Sequence, residues 1–151
     1  MMENLDKNEC LELLKNNYVG HLAYLSQSWP FVIPITYYFN SDDNSIISYS
    51  SEGHKIEAMR KNTAVSLEVE EITTIDNWKS VLVLGIFEEV NGIDAKYLLN
   101  QFSKGVKENL DKNKNTTPHF INEFSSKSDS MNIPIVYKLK IQEIFGKVRR
   151  P

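Results

Sequence analysis

Cysteine is nearly missing from this chain. Cys10 is the single one in 151 residues, which excludes an internal disulfide and any cysteine-cluster metal centre. On a helical stretch beginning Asp6-Lys7-Asn8-Glu9-Cys10-Leu11 it reads as a small buried hydrophobe, with no base beside it to make a nucleophile. Histidine is scarce too. His21, His54 and His119 follow no metal-ligand spacing, so no metal is expected. No apolar run reaches the roughly eighteen residues a membrane helix needs. The start MMENLDKNECLELL lacks the basic-then-apolar layout of a secretory signal, so a cytoplasmic chain without a membrane partner is expected. Excess charge is also lacking. A net charge of −3 argues against a protein that coats nucleic acid. There is no internal repeat, no long low-complexity tract and no Ser-His-Asp order. What is present, 41% hydrophobic and 25% charged residues, suits one soluble domain spanning 1–151.

The patterning is mainly β with a few helices. Asp6 and Glu9 are placed as a capping box, opening a helix that buries Leu11, Leu14 and Cys10. Residues 18–25 read as a strand, 26–28 as a turn and 30–39 as a second strand. Pro34 inside that run removes a ladder donor, so it belongs at an edge, at a bulge or facing a ligand. Residues 45–49 form a third strand. A helix over 54–61 buries Ile56 and Met59, three apart. Residues 64–69 alternate strictly as a fourth strand, and a polar link leads to a long strand over 78–90. That strand is apolar on both faces at 81–84, so it is central or lies under a partner. Beyond the Asn91-Gly92 turn, a helical insertion occupies about 94–132. Within it, Asp94 caps a helix to 102, 103–116 is a solvated helix or loop, Thr117-Pro118 starts a short helix to 124, and 125–132 is a loop. Residues 135–145 form the last strand. Short connections disfavour a doubly wound parallel sheet. A closed or nearly closed antiparallel barrel fits the order, with a flat antiparallel sheet covered by helices as the alternative.

The stretch Tyr49-Ser50-Ser51-Glu52-Gly53-His54-Lys55 joins a strand to a helix through small, hydroxyl-bearing and basic residues. Free backbone amides, two hydroxyls and a cation at a helix N-terminus make an anion site, phosphate above all. Lys55 is the strongest member, a compact ammonium suited to phosphate as a point charge. Glu52 must point away or pair with a base such as Lys55 or Arg60. His54 reads either as a first-turn surface residue or as a donor to phosphate or to a bound ring. His21 reads as a core or interface histidine and His119 as structural.

Five segments come in a telling order: Val19-Gly20-His21-Leu22-Ala23-Tyr24, Pro30-Phe31-Val32-Ile33-Pro34-Ile35-Thr36-Tyr37, the Tyr49–Lys55 stretch, Trp78-Lys79-Ser80-Val81 and Gly85-Ile86-Phe87-Glu88-Glu89-Val90. Together they resemble the flavin-nucleotide-binding branch of the pyridoxamine 5′-phosphate oxidase-like split barrels, nearest to the nitroimidazole-resistance (Nim-type) proteins. The resemblance covers about residues 5–90 and resumes at the last strand. It implies a six-stranded antiparallel split β-barrel, α+β in class, working as a homodimer with FMN in two clefts at the subunit interface. Carried over, Ser50, His54 and Lys55 (with Tyr49 and Ser51 beside them) match the phosphate-holding positions. Pro34, Ile35, Thr36 and Tyr37 match the strand along the isoalloxazine. Trp78, Lys79 and Ser80 match the motif at the cofactor and dimer contact.

The chain departs from the oxidase proper in two places. The oxidase has an arginine where His54 stands, and an imidazole of pKa about 6.5 is only partly cationic at neutral pH. The tail Lys147-Val148-Arg149-Arg150-Pro151 has no histidine, and no tryptophan follows Trp78, so oxidation of pyridoxamine phosphate is not expected. The expected activity is an FMN-dependent, nitroreductase-like oxidoreductase, with a nicotinamide donor (NAD(P)H) and a small planar acceptor such as a nitro compound. His54 and Tyr37 are its candidates for proton delivery. The alternatives are a non-catalytic flavin binding or storage protein, and a haem-binding protein of the same fold.

Overall fold

A computed structural model of the chain describes residues 2–112 and 134–151. Helix α1 (Lys7–Lys15) starts where the capping box places it. Asp6 Oδ1 accepts from the Glu9 amide at 2.8 Å, and Glu9 Oε1 accepts from the Asp6 amide at 3.3 Å. Its buried face is Cys10, Leu13 and Leu14, with Leu11 only partly covered, so the stripe is turned one residue from the expected one. The last carbonyls of a helix have no partner within it. Here Asn17 Nδ2 donates to the Leu13 carbonyl at 2.8 Å and the Tyr37 hydroxyl to the Leu14 carbonyl at 2.7 Å.

The strands are β1 (Met2–Asn4), β2 (Val19–Ser26), β3 (Trp29–Thr36), β4 (Tyr38–Asn40), β5 (Ser45–Ser50), β6 (Ala64–Thr74), β7 (Asn77–Val90) and β8 (Ile135–Arg149); α2 is His54–Lys61 and α3 is Gly92–Lys112. Six strands are longer than three residues, the number the resemblance implies. Four differences from the sequence pattern have physical causes. The run over 30–39 breaks at Tyr37, because the chain there leaves one edge of the sheet for the other. The link before Trp78 is mostly strand, since β6 pairs with β7 in register as far as Ile72 opposite Trp78. Residues 103–112 continue α3, because Phe102, Val106 and Leu110 extend the apolar stripe of Ala95, Leu98 and Leu99. Strand β8 runs past 145 because β1 and the start of β7 supply partners for 147–149. The helix expected over 117–124, the loop over 125–132 and His119 lie outside the described residues.

The hydrogen-bonded order is β3-β2-β6-β7-β8-β5-β4, all antiparallel, with β1 on β8. Its terminal strands, β3 and β4, are consecutive in the chain and separated only by Tyr37. The sheet must therefore roll up. Two bonds hold the seam: the Tyr37 amide donates to the Tyr18 carbonyl at 2.8 Å, and Ser48 Oγ donates to the Thr36 carbonyl at 2.7 Å. The enclosed core runs from Leu14 and Leu22 through Tyr37, Leu67 and Val83 to Leu139. Helix α1 packs against β4, β6, β7 and β8, and α2 against β2. Outside, α3 packs on β4, β5 and β8 over a second core. Its Gly105 is needed there, since a Cβ would collide with the Tyr38 ring. No described helix is long and apolar enough to cross a membrane.

Replacing Tyr37 by Phe keeps the ring but leaves the buried Leu14 carbonyl without its donor. The expected loss is about 1–3 kcal/mol of unfolding free energy, read by urea denaturation with the m-value unchanged.

Candidate functional site

The candidate site is the corner where β5 gives way to α2. Gly53, at the helix N-cap, is extended and has no side chain to bond the first amides, so those donors carry no side-chain cap. Ser50, half-buried, donates its hydroxyl to the Ser51 carbonyl at 2.9 Å, and Ser51 is exposed. Lys55 is half-buried, and among the described residues no acid pairs with it. Burial alone pushes its pKa below the ordinary lysine value. A half-buried lysine with no acid partner among the described residues, in the first turn of a helix whose N-cap makes no side-chain bond, suits an anion.

Glu52 does not spoil this corner. Its two carboxylate oxygens receive Arg60 Nη1 at 3.1 Å and Nη2 at 2.7 Å, while Arg60 Nε donates to Glu89 Oε1 at 2.8 Å. The guanidinium thus pins the loop ahead of α2 to the end of β7 and takes up the nearest negative charge.

His54 is the first residue of α2. Its Nδ1 lies 3.0 Å from the Tyr24 hydroxyl, and the Phe31 ring meets it edge-on at 4.8 Å. Tyr24 and Phe31 are themselves stacked at 5.5 Å. The imidazole is thus held by two strands of the barrel, and no hydrogen bond among the described residues engages Nε2. Beside it a groove of about 490 Å³ runs along α2, lined by Leu25, Trp29, Phe31, His54, Glu57 and Lys61. The hairpin at its rim holds Gln27 and Ser28 at positive φ, the backbone that a two-residue turn between twisted strands demands.

The other expected residues lie elsewhere. Tyr49 presents its ring to Phe102 of α3 at 5.0 Å, on the face of β5 opposite Ser48 and Ser50, and burial pushes its pKa up to about 12. Along β3, Pro34 is exposed, Ile35 buried and Thr36 half-buried. Tyr37 is in the core, and burial pushes its pKa well above the ordinary tyrosine range. Its hydroxyl is committed to Leu14, so proton delivery by Tyr37 is not what its placement provides. Trp78 is half-buried, Lys79 exposed, and Ser80 Oγ donates to Glu68 Oε2 at 2.6 Å. No hydrogen bond, ion pair or ring contact among the described residues joins Trp78, Lys79 and Ser80 to the Ser50–Lys55 corner. The sequence reading missed Tyr24 and Phe31 as partners of His54. They neighbour one another only through the β2–β3 register, which pairs Tyr24 with Phe31.

Comparison with known proteins agrees with this architecture. A family model described as pyridoxamine 5′-phosphate oxidase matches residues 6–148. An uncharacterized protein of Rhizobium meliloti is 33% identical over 86 residues, 57% of this chain and 56% of the relative, so the match spans little more than half of that protein. Among solved structures, an FAD-binding protein from Mesorhizobium loti superposes with a TM-score of 0.76 at 26% identity, covering 100% of this chain and 98% of the other. A candidate 5-nitroimidazole antibiotic resistance protein from Bacteroides thetaiotaomicron gives 0.71 at 16% identity, covering 98% and 89%, and shares the fold. With the family model spanning nearly all of its length, this chain belongs to the pyridoxamine 5′-phosphate oxidase family, as a split barrel of α+β class.

Proposed function

We propose that the chain is an FMN-binding flavoprotein that works as an oxidoreductase. The observation that carries this reading is Lys55, a half-buried cation without a described acid, beside the uncapped amides of α2. Lys55 and those amides hold the phosphate, with the Ser50 and Ser51 hydroxyls and His54 Nε2 as further donors. The Tyr24 hydroxyl holds the imidazole by Nδ1, which leaves Nε2 for the phosphate. Arg60 keeps Glu52 off the phosphate. The FAD-binding relative supports a flavin of one kind or the other. Bound flavin would supply two-electron transfer from a nicotinamide donor to a small planar acceptor such as a nitro compound.

The reading includes a homodimer. The family resemblance puts the cofactor in a cleft at the subunit interface, with Pro34 along its ring and Trp78, Lys79 and Ser80 at the cofactor and dimer contact. The outer face of the sheet offers the surface. Val32, Leu82, Ile86 and Phe145 are 66%, 38%, 37% and 50% exposed there, an apolar set on the three strands β3, β7 and β8.

Four outcomes are expected. Freshly purified protein shows the two-band absorption of flavin, which NADH or NADPH bleaches under nitrogen and a nitro-aromatic restores; stable binding without bleaching would leave the non-catalytic reading. Lys55→Ala weakens FMN at least tenfold, since a charge-assisted contact is worth ~1.5–3 kcal/mol. In the parent, affinity declines as pH rises through the lowered Lys55 pKa, and Lys55→Arg, which stays charged, removes that decline. Finally, Leu82→Glu with Phe145→Glu shifts the protein to monomer in sedimentation. A parent chain that is itself monomeric would end the interface-cleft account.

A further inference from the structure

The outer face of the barrel carries a second cluster that the phosphate corner does not use. Strand geometry assembles it. Glu68 and Glu70 are two apart on β6, so both carboxylates project from one face. His21 on β2 stands directly opposite Glu68 in the register. His21 Nδ1 lies 3.2 Å from Glu68 Oε1, and one ligand atom from each of His21, Glu68 and Glu70 falls within 4.8 Å of the others. We propose that His21, Glu68 and Glu70 form a binding site for a first-row transition dication of the Zn²⁺ class, with water completing the coordination.

Three observations support the site independently of the flavin. Two ligands on one tetrahedral zinc, with bonds near 2.0–2.2 Å, are about 3.4 Å apart, close to the His21–Glu68 separation. A metal can therefore take the place between them with little movement, and Glu70, exposed on its strand, swings in from the side. Glu68 is also oriented from behind. Ser80 Oγ donates to its Oε2 at 2.6 Å, leaving Oε1 toward His21, the arrangement by which a supporting hydrogen bond aims a metal ligand.

The third observation is charge. Among the described residues neither carboxylate pairs with a lysine or arginine. The register sets the cluster in an apolar row, Pro34–His21–Glu68–Leu82–Phe145. One imidazole and two carboxylates suit Zn²⁺ or Co²⁺. Mg²⁺ and Ca²⁺ prefer more oxygen ligands and no imidazole.

The test uses the whole chain after chelator treatment, titrated with Zn²⁺ by calorimetry and with Co²⁺ by its visible d–d absorption. One metal per chain is expected, with an imidazole-containing low-symmetry Co²⁺ spectrum. His21→Ala and the isosteric Glu70→Gln should each weaken binding at least tenfold. Ser80→Ala should weaken it less, through loss of orientation. These side chains lie outside the core, and an unchanged melting temperature of the metal-free variants confirms folding. Lys55→Ala should leave metal affinity as it is, which separates this site from the flavin reading. No saturable binding, or equal affinity in the parent and in His21→Ala and Glu70→Gln, overturns the proposal, the latter by placing the metal elsewhere.

Discussion

Closure of the sheet at Tyr37 is the constraint from which the rest follows. A strand that ends one edge of a sheet and a strand that begins the other cannot be neighbours in sequence unless the sheet curls until its edges meet. Thr36 and Tyr37 make that junction, and its bonds reach three other segments: Tyr18 before β2, Ser48 on β5, and the open end of α1 at Leu14. The curl then decides which residues face in. Leu22, Leu67, Val83 and Leu139 fill the interior, while their neighbours in the chain are left on an outer face shared by β2, β6, β7 and β8. Helix α2 and its phosphate corner follow directly from the end of β5, so the corner sits at the rim of the same closed sheet.

Elements with strong local signals were legible in the sequence. The capping box placed α1, the three-residue spacing of Ile56 and Met59 placed α2, and strict alternation placed the first half of β6. The Ser50–Lys55 corner was legible for the same reason: all its members are consecutive in the chain. What escaped was settled by partners distant in sequence. The break at Tyr37 is imposed by closure. The second half of β6 looks like a polar link, because Glu70 and Glu71 are strand residues only by virtue of pairing with Ser80 and Lys79. The rear of α3 looks like solvated chain, because only Val106 and Leu110, four apart, keep its apolar stripe going.

The candidate site divides along the same line. His54 could be named from sequence but not its setting, since Tyr24 and Phe31 reach it through a hairpin register that no spacing reveals. Histidine spacing along the chain argued against a metal. That argument reads only ligands on one helix or loop. Two strands paired antiparallel bring His21 and Glu68 together across 47 positions of sequence, and the period of two adds Glu70.

Lys55 is a charge that the fold has partly withdrawn from water without supplying, among the described residues, the opposite one. Elsewhere the protein supplies it. Arg60 receives Glu52 and Glu89, Lys138 meets Asp43, Lys140 meets Glu88, and Arg150 meets Glu3. Against that pattern Lys55 is informative, because partial burial of an unmatched charge costs free energy that a mutation to a neutral residue would recover. Lys55 retains that cost at a helix N-terminus, where only an anion repays it. Glu68 and Glu70 set two carboxylates beside one imidazole, a donor set that suits a dication. The signs are opposite, so the two sites call for different ligands.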